Sequence, residues 1–346
     1  MPHQADTTLG HVAGGGNLSL EEMSAAFDAI MLGEWTDDQI GLLLTALATK
    51  GETVDEIAGA ALAMRRHMTP IRSRHAEVLD TCGTGGGDSA MFNVSTTAAV
   101  VAAAAGVPVA KHGNRSVTSR SGSADVLAEL GVNIKATVPQ VEACLNELGL
   151  CFCFAPLMHP SMKRVSAVRK KLGIRTIFNI LGPLVNPAGA CYQLLGAGRP
   201  DLRPRLAGAA ARLGTKRTLV VSGEDGLGDI TLTGATQVSD VRAAEGAEER
   251  INEFTWFPED FGIARQSLDT LHVDGPAGSA AIVRKILGGE PGPARDIILL
   301  NAGAALIVAG RTSDPKTAAQ IAANAIDSGT AKNLLTALVE KSYVPA

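Results

Sequence analysis

Aromatic residues are scarce in this chain. Of its 346 residues only 3% are Phe, Trp or Tyr, whereas 46% are hydrophobic and 38 are Gly. The core must therefore be filled by small and aliphatic side chains, with the backbones packed closely. A charged fraction of 19% beside so many hydrophobic residues is typical of a packed globular protein and excludes a disordered chain. The length predicts about two domains.

An excess of charge of one sign and a long apolar run are also missing. The formal net charge is −4, so there is no global basic field and we expect no nucleic-acid partner. The longest apolar stretch, residues 98–110, has about half the length of a membrane span. Gly106 and Pro108 interrupt it, so we expect no membrane partner.

Cysteines are few and show no paired spacing, as the positions of Cys82, Cys144, Cys151, Cys153 and Cys191 make clear. An odd number of scattered cysteines in a chain of this size predicts reduced thiols in a cytoplasmic protein. The N-terminal stretch has neither the basic start nor the apolar run of a signal peptide, which agrees with a cytoplasmic location.

Three capping boxes near the N-terminus predict three helices, because a hydroxyl and a carboxylate or amide three residues later satisfy each other's backbone N–H groups. The pairs are Ser19 with Glu22, Thr36 with Gln39, and Thr53 with Glu56. Each opens a run with apolar residues at steps of three and four. We therefore expect a helical domain over residues 18–72, preceded by a mobile tail over residues 1–17.

From residue 73 onward, strand and helix patterns alternate. Strands are predicted at 78–79, 107–110, 151–154, 192–195 and 218–222, and helices at 93–105, 123–130, 138–148, 161–172, 202–213, 296–308, 314–328 and 331–339. This alternation predicts a mostly parallel central sheet with helices on both faces. The fold class is thus α/β, with a small all-helical N-terminal domain and a large α/β domain over residues 73–346. The cleft between them is the expected ligand site.

A glycine-rich turn, GTGGGD at residues 83–88, stands between a predicted strand and a predicted helix. Its backbone N–H groups and the helix N-terminus beyond it favour an anion. The turn matches neither a Walker A loop nor a dinucleotide fingerprint, and by itself it fits a simple tight turn equally well. Asn93, Ser95 and Thr96 on the first helical turn favour a phosphate site, with ordinary N-capping as the alternative.

A second polar cluster, KHGNR at residues 111–115, follows the next predicted strand. Loops at the carboxyl ends of parallel strands converge on a ligand crevice. Two cations, an imidazole and an amide in one such loop suit a polyanionic ligand, although a solvated charge run is the alternative. The following SRSGS at residues 119–123 adds hydroxyl and N–H groups that could bind a second phosphate.

The chain resembles the anthranilate phosphoribosyltransferase family from about residue 18 to 340. The resemblance rests on DTCGTGGGDSAMFNVSTTAA, on VAKHGNRSVTSRSGSADVLAELGV and on FAPLMHPSMKRVSAVRKKLGIRTIFNILGPLVNPA. It implies transfer of the phosphoribosyl group of phosphoribosyl pyrophosphate (PRPP) to the amino group of anthranilate, in tryptophan biosynthesis. It also implies Mg²⁺, a helical domain completed by helices from about 161–190, and a homodimer formed through that domain.

The same resemblance implies roles for individual residues. PRPP would contact Gly83, Gly85, Gly86, Gly87, Asp88, Asn93, Ser95, Thr96, Lys111 and Ser123. Anthranilate would contact Gly83, His112, Asn114, His159, Met162, Arg169, Gly182 and Pro183. Ser95 and Asp229 would hold Mg²⁺, and Lys111 and Arg169 would position the substrates and stabilise charge. Without the resemblance, His159 and Met162 fit packing roles and Arg169 fits a solvated face.

The chain departs from the family pattern at two places, and the second affects an expected metal site. Gly87 stands where the family usually has Asp directly after Gly-Thr-Gly-Gly, and Asp88 follows it. Gly228 and Asp229 replace the usual Asp-Glu pair of the second metal site. The loss of one anionic ligand is expected to weaken the second Mg²⁺ site or to leave water in its coordination shell.

Two other functions remain open. A pyrimidine nucleoside phosphorylase-like enzyme would share a glycine-rich phosphate loop, but the 111–115 cluster and the 154–187 stretch favour the transferase. A non-catalytic nucleic-acid-binding relative would fit the altered metal pair. The net charge of −4, together with Asn114 and Arg169, argues against it.

Overall fold

The computed structural model describes residues 2–86, 90–116, 120–243 and 250–345, with the side chains of all but residues 2–4 and 250. The helices are α1 (Pro2–Ala13), α2 (Leu20–Met31), α3 (Asp37–Lys50), α4 (Val54–His67), α5 (Val94–Ala104), α6 (Ser123–Glu129), α7 (Val138–Leu148), α8 (Ala155–Met158), α9 (Met162–Leu172), α10 (Phe178–Leu181), α11 (Arg203–Arg212), α12 (Pro276–Leu287), α13 (Pro293–Val308), α14 (Pro315–Asp327) and α15 (Thr330–Lys341). Among the described residues, none of these helices is long and apolar enough to cross a membrane.

The strands are β1 (Leu79–Gly83), β2 (Val109–Gly113), β3 (Leu150–Phe154), β4 (Tyr192–Gly196), β5 (Arg217–Gly223), β6 (Thr236–Arg242) and β7 (Arg250–Trp256). They form one sheet in the order β3-β2-β1-β4-β5-β6-β7. The first five strands of that order run parallel, and β5, β6 and β7 pair antiparallel. The predicted mostly parallel sheet is confirmed. The antiparallel strands β6 and β7 and helix α12 were not predicted.

All three predicted capping boxes are present, and α2, α3 and α4 begin directly after Ser19, Thr36 and Thr53. The expectation of a mobile tail differs from the structure, because residues 2–13 form helix α1. Ala5 and Val12 are buried, and they lie seven residues apart, on one face of the helix. This apolar face packs against α3. Burial of these two side chains stabilises a helix that the polar composition of the segment does not predict.

The sheet has its topological switch point at β1, which lies between β2 and β4. Chain connections leave β1 toward one edge of the sheet and return to its other side at β4. In such sheets a crevice opens at the carboxyl ends of the two strands, and ligands bind there. Gly83 ends β1 directly opposite Gly196, which ends β4. The glycine-rich turn therefore starts at this crevice.

Two clusters of buried side chains cover the two faces of the sheet. The first packs α5, α13 and α14 on one face, and its alanines at 98–103 let α5 approach the strands closely. The second joins the N-terminal helices to the other face through α11. Helices α9 and α10 also belong to the second cluster; the rings of Phe27 and Phe178 lie 5.3 Å apart. The segment that carries Arg169 is thus anchored on the helical unit.

Candidate active site

The turn after β1 leaves backbone N–H groups without partners. Gly85 and Gly86 have φ angles of +66° and +85°, a left-handed conformation that strongly favours glycine. Thr84 fixes the turn to the end of β4, because its N–H donates to Gly196 O at 2.9 Å and its Oγ1 accepts from Gly198 N at 3.2 Å. The N–H groups of Gly85 and Gly86 find no acceptor among the described residues. Successive free N–H groups of this kind form an anion-binding concavity.

Helix α5 begins at the same crevice. Asn93 caps it, with Oδ1 accepting from Thr96 N at 3.1 Å, so the N-capping interpretation is confirmed for this residue. The Thr96 hydroxyl is buried and has no hydrogen-bond partner among the described residues. The hydroxyl of Ser95, a half-buried residue, makes no hydrogen bond with the described residues. Two hydroxyl groups on the first helical turn are therefore free for a ligand.

Lys111 is buried in β2, and its ammonium group donates to Thr81 O of β1 and, at 3.4 Å, to His112 O. The fully buried carboxylate of Asp80 accepts from His112 N at 3.1 Å. Burial raises the pKa of Asp80, and the charge of Lys111 opposes that rise. Sequence reasoning missed Asp80; its signal is a carboxylate inside an otherwise apolar strand. The pair supplies fixed charges between β1 and β2.

Asp229 is half-buried and makes no hydrogen bond or ion pair with the described residues. Burial raises its pKa to about 7, although the positive charge of Lys111 lowers it. The described residues contain no group of three or more His, Cys, Asp or Glu side chains arranged as metal ligands. Asp229 is thus a single carboxylate with no ion-pair partner among the described residues, and a bound cation would stabilise its ionised form.

The backbone of Gly228 packs closely against the residues at the end of β4. A Cβ on Gly196 would lie 1.6 Å from Gly228 O, and a Cβ on Gly228 would lie 3.0 Å from Gly198 N. The loop before Asp229 therefore packs backbone to backbone against the end of β4. Sequence reasoning missed Gly196, since only the fold shows which loop it contacts.

A second part of the crevice contains two histidines. The Nε2 atoms of His112 and His159 lie 3.2 Å apart, and His112 Nδ1 lies 3.0 Å from Gly182 O. A carbonyl oxygen only accepts, so His112 carries its proton on Nδ1 and accepts at Nε2 from His159. Burial lowers the pKa of His112 to about 4 and that of His159 to about 3. Both rings are neutral at pH 7.

Arg169 lies half-buried in the last turn of α9. Its Nη2 is 3.4 Å from Asn179 Oδ1, and its Cζ is 5.5 Å from the centroid of the Phe178 ring. Burial lowers its pKa. It has no carboxylate partner among the described residues, so its guanidinium group can still receive one.

The remaining expected site residues are placed as follows. Ser123 Oγ donates to Asn114 O at 3.2 Å, and Asn114 itself is exposed. Pro183 is buried and its carbonyl accepts from Gln193 Nε2, whereas Met162 is half-buried against the second cluster. Gly87 and Asp88 lie outside the described residues.

Arg115 of the second polar cluster and Arg120 of the following stretch are already paired. Arg115 binds Asp125 at 2.7 Å and Arg120 binds Asp274 at 2.8 Å. Their charges are compensated, so the net positive charge available to an anion is smaller than the sequence indicates.

Comparison with known proteins agrees with this arrangement. Residues 7–68 match the helical bundle domain and residues 75–332 the a/b domain of a glycosyl transferase family. The anthranilate phosphoribosyltransferase of Rhodopirellula baltica is 47% identical over 330 residues, 95% of each chain. This chain belongs to the anthranilate phosphoribosyltransferase family.

Solved structures of the family have the same fold. The anthranilate phosphoribosyltransferase of Thermus thermophilus superposes with a TM-score of 0.90 at 41% identity, covering 97% of this chain and 99% of that chain. The Saccharomyces cerevisiae enzyme, solved in complex with PRPP and Mg, gives a TM-score of 0.87 at 29% identity, over 98% and 99% of the two chains. The yeast enzyme has also been solved with 4-fluoroanthranilate.

Proposed function

We propose that this chain transfers the phosphoribosyl group of PRPP to the amino group of anthranilate, giving N-(5-phosphoribosyl)anthranilate and pyrophosphate, in tryptophan biosynthesis. The observation that carries the proposal is the crevice at the switch point. It combines free N–H groups at Gly85 and Gly86 with a separate guanidinium group, Arg169, that lacks a carboxylate partner. These two features fit one substrate that carries phosphate and another that carries a carboxylate. Membership in the family and the PRPP complex of the yeast relative support the same pair.

The reaction breaks the bond between C1 of the ribose and the pyrophosphate oxygen, which leaves with the electron pair. The aromatic amine forms the new bond to C1 and then loses a proton. Its nitrogen is uncharged at neutral pH, so no strong base is needed. Catalysis consists of positioning the two reactants and stabilising the charge of the leaving group.

The phosphates of PRPP are assigned to the turn and to the start of α5. We assign the contacts to Gly83, Gly85, Gly86, Asn93, Ser95, Thr96, Lys111 and Ser123. The free N–H groups and the unpaired hydroxyl groups are donors that a phosphate satisfies. The ammonium group of Lys111 contributes positive charge from within the sheet rather than from a flexible surface position.

Mg²⁺ fits the two oxygen donors at this end of the site. Ser95 offers a free hydroxyl and Asp229 an uncompensated carboxylate, and Mg²⁺ prefers hard oxygen ligands shared with phosphates. When bound, the ion neutralises phosphate charge and helps the pyrophosphate to leave. Gly228 provides no carboxylate, so Asp229 is the single acidic donor assigned here.

The acceptor half of the site is assigned to Arg169, the histidine pair and the segment at 182–183. Arg169 binds the carboxylate of anthranilate in a bidentate pair. His112 and His159 are neutral, so they offer anthranilate an uncharged surface. They therefore do not compete with Arg169 for the carboxylate of anthranilate. Asn114, Met162, Gly182 and Pro183 complete the pocket in this assignment.

We further propose a cytoplasmic homodimer formed through the helical domain at residues 18–72. Leu32 and Leu42 are 65% and 62% exposed on that domain, and a second copy would bury them. All five cysteines are free, which suits a reducing compartment.

A fluorescence assay tests the function. The purified protein with PRPP, Mg²⁺ and anthranilate should consume anthranilate and release one pyrophosphate per anthranilate, with ribose 5-phosphate in place of PRPP as the control. Phosphate-dependent cleavage of uridine or thymidine in a parallel assay, without loss of anthranilate, would assign the chain to the phosphorylases. Inactivity in both assays with retention of DNA in a gel shift would assign it to a nucleic-acid binder.

A further inference from the structure

Arg175 is an exposed arginine that the sequence analysis did not single out. It lies between Gly173, which ends α9 in the left-handed conformation with φ +65°, and the buried Thr176. The N–H of Thr176 donates to Asn179 Oδ1 at 3.0 Å. The backbone on both sides of Arg175 is therefore held in place. The side chain of Arg175 extends from a backbone position that is fixed relative to the helical unit.

The guanidinium group of Arg175 lies against the glycine-rich turn. A Cβ on Gly86 would be 2.5 Å from its Nη2 and 2.6 Å from its Nη1. The group thus occupies the space next to the Cα of Gly86, where a larger side chain would displace it. A cation from the helical unit thus lies against the turn whose N–H groups at Gly85 and Gly86 have no acceptor among the described residues.

No partner among the described residues explains the position of Arg175. Arg175 makes no ion pair or hydrogen bond with the described residues. Arg164, on the same helical segment, is paired with Asp37 at 2.8 Å. The N–H groups of Gly85 and Gly86 also lack acceptors within the described residues. A guanidinium group thus lies beside two backbone donors that have no acceptor among the described residues, which is a combination suited to an anion.

We propose that Arg175 binds the pyrophosphate of PRPP and holds it as it leaves. The proposal rests on the proposed function and extends it, because it adds a residue from the helical unit to the phosphate site. Arg175 follows Arg169, which binds the acceptor carboxylate, by six positions in the chain. Acceptor and pyrophosphate both meet at C1 of the ribose, whereas the 5′-phosphate lies at the far end of the sugar. Arg175 approaches the turn to which the phosphates of PRPP are assigned, and its short separation in the chain from Arg169 favours the pyrophosphate over the 5′-phosphate.

The test compares Arg175→Ala and Arg175→Lys with Lys171→Ala, which removes an exposed positive charge from the same segment. Calorimetry measures the binding of inorganic pyrophosphate with Mg²⁺, and steady-state kinetics measures KM for both substrates. For Arg175→Ala we expect the pyrophosphate Kd and the KM for PRPP to rise about tenfold or more, the usual loss for a charge-assisted bidentate contact. The KM for anthranilate and both constants of Lys171→Ala should stay within about twofold. Arg175→Lys should recover part of the loss, since the charge remains but the fork is gone.

Equal pyrophosphate binding by Arg175→Ala and Lys171→Ala would overturn the inference. A rise in the KM for anthranilate alone would also overturn it and assign Arg175 to the acceptor. If the unmodified protein binds pyrophosphate through Arg175 but consumes no anthranilate, the anion site stands and the proposed function fails. The calorimetric and kinetic results therefore separate the two proposals.

Discussion

The imidazole rings of His112 and His159 meet edge to face, with centroids 5.2 Å apart and an interplanar angle of 60°. One hydrogen bond joins their Nε2 atoms, and a second joins His112 Nδ1 to Gly182 O. This chain of donors and acceptors is complete only while His112 is neutral. Protonation of His112 would place two N–H groups against each other.

Acid should therefore destabilise the protein through this pair. An unfolded chain protonates histidine near pH 6.5, whereas in the folded chain the pKa is about 4 for His112 and about 3 for His159. The unfolded state binds more protons between these values, so the free energy of unfolding falls as the pH drops from 6.5 toward 4. Each histidine should contribute at most about 1.4 kcal/mol per pH unit in this window.

Urea unfolding at pH 7, 6, 5 and 4.5 measures this dependence. His159→Asn should flatten the decline relative to the unmodified protein. His67→Asn is the matched control, because His67 binds Asp28 in the helical unit, and it should keep the decline. If the free energy of unfolding depends on pH in the same way in all three proteins, the histidine pair does not cause the loss of stability in acid.

Arg169→Ala should impair the binding of anthranilate. The acceptor carboxylate would lose its charge-assisted partner, so the KM for anthranilate should rise about tenfold to a hundredfold while the KM for PRPP changes little. Lys170→Ala, which removes the adjacent exposed charge, is the control and should change neither constant by more than about twofold. Equal increases in both constants would move Arg169 out of the acceptor pocket.

Asp229→Asn should weaken the binding of Mg²⁺ with pyrophosphate. The pKa of Asp229 is raised to about 7 by burial, so much of the free protein carries a neutral carboxyl group at pH 7. Cation binding requires the ionised form, and affinity should rise as the pH increases from 6 to 8. Calorimetry in buffers of different ionisation enthalpy should detect proton release on binding at pH 7.

The Asp229→Asn variant should lose both the pH dependence and the proton release. Asp269→Asn, at an exposed position, is the control and should retain them. Full activity of the unmodified protein in excess chelator would contradict the assignment of Mg²⁺ to Ser95 and Asp229.

Gly196→Ala should be strongly destabilising. The new Cβ would stand 1.6 Å from Gly228 O, and because both partners are backbone, the end of β4 and the following loop would have to separate. Overpacking of this kind costs about 1–3 kcal/mol or more. Gly182→Ala is the matched control, since Gly182 has helical angles and open space around the position of its Cβ. Thermal unfolding should show a clear decrease in Tm for Gly196→Ala only.

Local patterns were sufficient for much of the fold. Capping boxes at Ser19, Thr36 and Thr53 set the starts of three helices, because the hydrogen bonds concerned lie within four residues. The alternation of strands and helices was sufficient for a parallel sheet. The predicted helix over 138–148 agrees with α7 at both ends. Helix α1 was not predicted, since its stability comes from contact with α3 rather than from its own composition.

Some features of the candidate site could likewise be predicted from the sequence, and others could not. The glycine-rich turn and the Asn93 cap were visible in the sequence, since each depends on neighbours a few residues apart. The buried neutral state of His112 and His159, the approach of Arg175 to Gly86 and the free carboxylate of Asp229 were not visible. Each depends on residues tens of positions apart in the chain. Burial also changes the pKa of each titratable group, and the size of that change cannot be read from the amino-acid composition.

The sequence by itself thus determined that this chain is an α/β protein with a glycine-rich turn after its first strand, and through its motifs it determined the family. Only the tertiary structure decided which cations remain free. Arg115 and Arg120 are compensated by Asp125 and Asp274, whereas Arg169 and Arg175 have no acidic partner in the described part of the chain. The physical reason is that a side chain's available charge depends on what packs against it, and the strand order of the sheet sets those neighbours.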